Sequence, residues 1–199
     1  MKKIEKFLIN EIFPDLERGR ANFDKPHTVA VVYWLKQILK RNSELNLDET
    51  VLLIAAYAHD WGYADLFAKG QKLKYDDVKN AKVTHMEVGA EKVNELLKNE
   101  VFSSLTDKQK ARCIHLVRVH DKLDNLKDSD ELVLMEADTL GGLDISRVEP
   151  TFNVESNNKY IFEVKRRRVP RFITEFGKET VGMLVQKRAE HYNKKILSK

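Results

Sequence analysis

Four side chains in this sequence are of types that hold a divalent cation, and each stands where an unpaired charge would be costly. His59 and Asp60 close VLLIAAYA, the most apolar run of the chain. An ionised carboxylate at such a place is strongly destabilising unless it is paired or bound to a metal. Asp138 is in the same predicament inside LVLMEADTLGGL, four residues after Leu134 and three after Met135. His27 opens another helix, just after Asp24 and Pro26, at a position that faces the same core. Nitrogen and oxygen donors delivered by the edges of buried helices suit a divalent metal. The set has no thiolate, which favours Mn²⁺, Mg²⁺, Co²⁺, Ni²⁺ or Fe over a structural zinc. Plainer readings stand beside this one. A buried histidine is more often a hydrogen-bonded core residue, Asp60 would serve as a cap, and Asp138 would pair with Arg112 or Arg118.

The elements that must carry these residues are helical. Ile4, Phe7, Leu8, Ile12 and Leu16 share one face of a first helix over 3–18. A second starts at Asp24 and Pro26, with Val29, Val32, Tyr33, Lys36 and Leu39 continuing it. The run from Val51 to Ala58 is apolar all round and so is a buried helix, with Asp48 as its cap. Residues 63–80 read as a loop or short helices. A helix over 82–98 shows Met86, Ala90, Val93 and Leu97 as its stripe. Thr106 with Gln109 forms a capping-box pattern for a helix ending near His120, and Asp128 with Glu131 repeats it before the helix of Asp138. NNKYIFEVKRRRV is ambiguous between strand and helix, and 172–197 reads as a final helix.

Composition agrees. The chain has 199 residues, 42% hydrophobic and 33% charged, with eight glycines and four prolines, too few for a turn-rich sandwich or barrel. No apolar run approaches the roughly 18 residues of a membrane span. One cysteine, Cys113, rules out an intramolecular disulfide framework, and charges interrupt the apolar residues of the first helix, so a cleaved signal is not expected. A cytoplasmic protein without a membrane partner is the expectation. The net charge of +4 is concentrated in Lys165, Arg166, Arg167, Arg168 and Arg171, with no acid among them. The segment is either a solvated face or a receiver of anions. No aromatic-interleaved nucleic-acid motif accompanies it, so a phosphorylated small molecule is favoured over nucleic acid.

Set in order, PHTVAVVYWL, LLIAAYAHDWGY and VLMEADTLGGL resemble the HD superfamily of metal-dependent phosphohydrolases. A lone histidine, a His-Asp doublet after an apolar helix and a later aspartate carry the resemblance, over about residues 20–145. It implies an all-α fold, a compact HD-domain helical bundle with an extra C-terminal helical segment. Residues 1–150 would be the HD domain including the N-terminal helix, and 151–199 a C-terminal extension packed on the same domain. In that family the matching positions, here His27, His59, Asp60 and Asp138, bind a divalent metal, and many members cleave phosphate esters or anhydrides. Members with two metals add histidines between the doublet and the last aspartate. His85 and His120 fall in that interval and are candidates for a second metal or for substrate phosphate. One ion is expected, because these two histidines lack an adjacent carboxylate.

The implied activity is hydrolysis of a nucleotide or similar phosphorylated small molecule, with a metal-activated water. Asp60 would be catalytic and would bridge two metals if both are present. Asp65 is a candidate to orient or deprotonate the water, and Lys69, Lys72 and Arg171 to bind substrate phosphate. The guanosine-tetraphosphate branch carries a Glu-Asp pair where this chain has Tyr63 and Ala64, and the Gly-Tyr-Pro signature of the cyclic-dinucleotide branch is absent. Two alternatives remain: a di-iron oxygenase of the inositol-oxidising type, and a non-catalytic metal-stabilised binding module. Oligomeric state is open.

Overall fold

The computed structural model describes residues 2–20, 22–67, 71 and 73–197, and among them every regular element is a helix, with no strand. The helices are α1 (Lys2–Leu16), α2 (Asp24–Arg41), α3 (Glu49–Ala58), α4 (Tyr75–Asn80), α5 (Lys82–Leu96), α6 (Asp107–Val119), α7 (Ser129–Leu143), α8 (Val154–Glu163) and α9 (Glu175–Leu197).

The most apolar helix sits at the centre. Every residue of α3 from Val51 to Ala58 is buried, with α1, α2, α6 and α7 packed against it. Asp48 starts it by accepting from the backbone N–H groups of Thr50 and Val51 at 3.0 and 3.1 Å. That satisfies two of the orphan donors a helix leaves at its first turn. The four-residue spacing of Ile4, Leu8, Ile12 and Leu16 puts all four in the core on α1. α2 turns a different face inward from the one its sequence suggests: Ala30, Val31, Leu35 and Ile38 are buried, and Val29 is 48% exposed. α6 opens with Thr106 and Gln109 capping each other, and α7 with Asp128 and Glu131.

The ambiguous stretch after Pro150 is helical. α8 runs into a π-helical turn over Val164–Arg168, whose one-residue surplus changes which side chains face inward. α9 is then anchored to α7 by a buried acid. Glu136 accepts from the backbone N–H groups of Ile173 and Thr174 at 2.5 and 3.0 Å, and from the Thr174 hydroxyl at 2.5 Å. No helix among the described residues is long and apolar enough to cross a membrane.

Candidate metal centre

Five helices end at, or carry, the site. His27 lies in the first turn of α2 and His85 in that of α5, while His59 and His120 are the C-cap residues of α3 and α6. Asp60 follows His59 at the start of a 3-10 turn over Trp61–Asp65, and Asp138 lies within α7. All four histidines and Asp60 are buried. The C-cap positions fix two of the rings. His59 Nδ1 donates to the Ala56 carbonyl at 2.9 Å and His120 Nδ1 to that of Val117 at 2.8 Å, using carbonyls that the helix ends leave free. When the ring is neutral, each Nε2 thereby keeps its lone pair aimed at the centre, the arrangement in which imidazole binds a metal.

Asp60 divides the site. His27 and His59 meet at 3.2 Å between their Nε2 atoms, and each lies about 3.5 Å from Asp60 Oδ2 (3.5 and 3.4 Å). Asp138 Oδ1 closes this side, 3.0 Å from His27 Nε2 and 3.7 Å from His59 Nε2. His85 and His120 likewise meet at 3.2 Å between Nε2 atoms, and they lie 3.5 and 3.7 Å from the other oxygen, Asp60 Oδ1. Two imidazole lone pairs facing each other at this distance repel unless a proton or a cation lies between them. Donors around one ion at about 2.1 Å are separated by about 3 Å, so both histidine pairs fit a metal. The expectation of one ion rested on the lack of a carboxylate beside His85 and His120, and that reason fails. Asp60 itself is that carboxylate, far away in sequence but adjacent in space.

The second pair is set by a close backbone approach. A Cβ on Gly62 would lie 1.9 Å from the His85 carbonyl oxygen and 2.8 Å from the Gly89 nitrogen, so only glycine lets the 3-10 turn lie on α5. Tyr63, the next residue, stacks on the His85 ring with 3.9 Å between centroids.

Two arginines brace the carboxylates from outside. Arg20 Nη2 donates to Asp60 Oδ2 at 2.5 Å and its Nε to Asp24 Oδ1 at 2.5 Å, with the guanidinium 4.0 Å from the Tyr63 ring centroid. Arg168 Nη1 donates to Asp138 Oδ2 at 2.7 Å and to Thr139 Oγ1 at 3.1 Å, and its Nη2 pairs with Asp121, which also holds Lys82 at 2.9 Å. Burial pushes both the Asp60 and Asp138 carboxyls up. For Asp60, His59 and Arg20 outweigh it, and for Asp138, Arg168 and the two histidines do, so both are held well below the usual carboxylate range. Burial also opposes charge on His59, but Asp60, Asp138 and the Ala56 carbonyl raise it to about 9. His85, buried beside His120, is pushed down to about 3.

The site opens into a cavity whose empty space, open solvent at the mouth included, is about 670 Å³. Its walls include the cations Arg20, Lys82 and Arg168 and the rings of Phe23, Tyr75 and Phe152.

Other sequence candidates are not brought there. Asp65 is exposed where the 3-10 turn leaves the core, and it pairs with Lys92 at 2.8 Å. Arg171 contacts Asp124 at 3.4 Å and does not line the cavity. Lys69 and Lys72 lie outside the described residues. His115 pairs with Glu131 at 2.7 Å, away from the centre, and Asp138 pairs with neither Arg112 nor Arg118. Of the basic segment, Arg168 alone reaches the cavity, turned inward within the π-helical turn. Sequence reasoning did not single out Arg20, Lys82 or Asp121, and it named Arg168 only as one of the basic segment. Asp121 did carry a signal, since His120-Asp121 repeats the His-Asp doublet.

The comparisons agree with this geometry. A family model described as HD domain matches residues 26–143, and the chain belongs to that family. The family is generally one of metal-dependent hydrolases, and the clustered His and Asp donors fit divalent-metal binding. No curated protein and no solved structure matched the chain.

Proposed function

We propose that the chain is a phosphohydrolase that uses two divalent ions and acts on a nucleotide or a similar phosphorylated small molecule. One observation carries the reading: the two oxygens of Asp60 face separate histidine pairs, His27 with His59 and His85 with His120. A carboxylate shared in this way is what holds two ions close enough to act on one phosphoryl group. When bound, divalent ions lower the pKa of a coordinated water and stabilise charge on phosphoryl oxygens.

The chain's own residues supply the rest. His27, His59, Asp60 and Asp138 would hold one ion, and His85, His120 and Asp60 the other. Arg20 and Arg168 keep Asp60 and Asp138 ionised, and with Lys82 they place charged N–H donors on the cavity wall beside an anionic substrate. The rings of Phe23, Tyr75 and Phe152 offer a planar base an apolar surface within the same cavity, which favours a nucleotide over a small aliphatic phosphate.

A panel of nucleotides and simple phosphate esters, assayed for released phosphate with Mn²⁺, tests the reading. Turnover of at least one nucleotide that stops on chelation is expected. Failure of every member with metal-loaded protein would reject phosphohydrolysis.

A further inference from the structure

The HD-domain match ends at residue 143, yet the cavity wall does not. Phe152, Tyr160 and Arg188 all line it, from segments beyond that point. Two of these carry polar groups whose needs the protein leaves open.

Arg188, on α9, is 2% exposed. Its Nε donates to Asn157 Oδ1 at 2.7 Å and its Nη1 to the Gly142 carbonyl at 2.8 Å, while the Tyr192 hydroxyl also meets it. All three partners are neutral, and none of these contacts is an ion pair with a carboxylate. Every other cation deep in this cavity has one: Arg20 has Asp24 and Asp60, Lys82 has Asp121, and Arg168 has Asp121 and Asp138. Three neutral partners do not use all five donors of a guanidinium, and a buried charge without a counter-ion is costly, a cost that an anion in the cavity would relieve.

Tyr160, on α8, adjoins both Arg188 and the Gly142 backbone beside His27. Its ring centroid is 5.1 Å from the Arg188 guanidinium, and its hydroxyl has no hydrogen-bond partner among the described residues. Gly142 explains the fit. A Cβ there would lie 2.5 Å from the Tyr160 oxygen and 3.7 Å from His27 Cε1, so the bare glycine leaves room for the phenol on the His27 side of the centre. An unmatched donor and an unmatched cation thus adjoin the centre, on the side of His27.

We propose that Tyr160 and Arg188 form a receptor for a second anionic group of the substrate, one that is bound but not cleaved. The preferred ligand class is then a diphosphate, with one phosphate at the metal centre and its neighbour at this pair. The proposal rests on the phosphohydrolase reading of the centre. Its test needs no turnover, so the two fail separately.

The probes are methylphosphonate and methylenediphosphonate, which share their chemistry, differ by one anionic group and resist hydrolysis. Binding is measured by calorimetry at a fixed free Mn²⁺ concentration. Wild type should bind the diphosphonate at least about tenfold more tightly, the scale of one charge-assisted contact. Arg188→Gln should erase that preference and leave methylphosphonate within about twofold, the scatter allowed for an untouched contact. Arg188→Lys, which keeps the charge but not the fork, should retain part of it. Tyr160→Phe preserves packing and should weaken the diphosphonate severalfold, which keeps the test decisive if Arg188→Gln fails to fold. Equal affinity for the two probes in wild type would overturn the proposal. So would a Tyr160→Phe protein with its preference intact, or an Arg188→Gln protein that loses thermal stability but not the preference.

Discussion

His85 and His120 meet at 3.2 Å between Nε2 atoms on the Oδ1 side of Asp60, as His27 and His59 do on the Oδ2 side. One carboxylate therefore serves two histidine pairs, and Asp60 becomes the residue on which the whole centre depends.

Asp60→Asn keeps the shape of the side chain but removes its charge from both pairs. Activity should fall by about three orders of magnitude or more, because the Lewis acid contributes several kcal/mol to the transition state. Far-UV circular dichroism should change little, since the helices around the site are packed by apolar residues. Retention of more than about a tenth of the wild-type rate would be incompatible with metal-dependent hydrolysis.

Asp65→Ala should leave kcat and KM near wild type. The carboxylate is exposed and paired with Lys92, and such surface pairs contribute about 0–1 kcal/mol to stability. A hundredfold loss of kcat, about 2.7 kcal/mol of transition-state stabilisation, would return Asp65 to the active site.

Protein stripped of metal should show a stability optimum near pH 6.5. Burial opposes charge on His59, but Asp60 and Asp138 outweigh it and raise the ring to about 9, so its contribution is complete below its ordinary value of 6.5 and is lost as pH rises through 9. His85 is pushed down to about 3, so acidification below 6.5 favours the unfolded chain, in which it protonates freely. Thermal midpoints after chelator treatment should fall on both sides of that pH. A midpoint that is flat from pH 6.5 to 9 would contradict the assignment of His59.

Much of this was legible in the sequence, for identifiable reasons. The all-apolar run Val51–Ala58 could only be a buried helix, and the His-Asp doublet at its end located the centre. The boxes at Thr106 and Asp128 fixed two helix starts through local hydrogen bonds. What failed depended on contacts distant in sequence or on backbone irregularity. The link from Asp60 to His85 and His120 arises because Gly62 lets two backbones touch, a contact with no local pattern. The choice of Arg168 from a run of three arginines was set by a π-helical turn. Asp65 lies away from the cavity because the 3-10 turn leaves the core at that residue, just after the buried Ala64.

The central claim is most directly tested by counting metal in purified protein loaded with Mn²⁺ or Fe²⁺ and freed of excess. The account predicts two equivalents per chain in wild type, and one in a His85→Ala/His120→Ala double variant, with His27, His59, Asp60 and Asp138 keeping the other. A single equivalent in wild type, or a metal content unaltered by the double substitution, would contradict it.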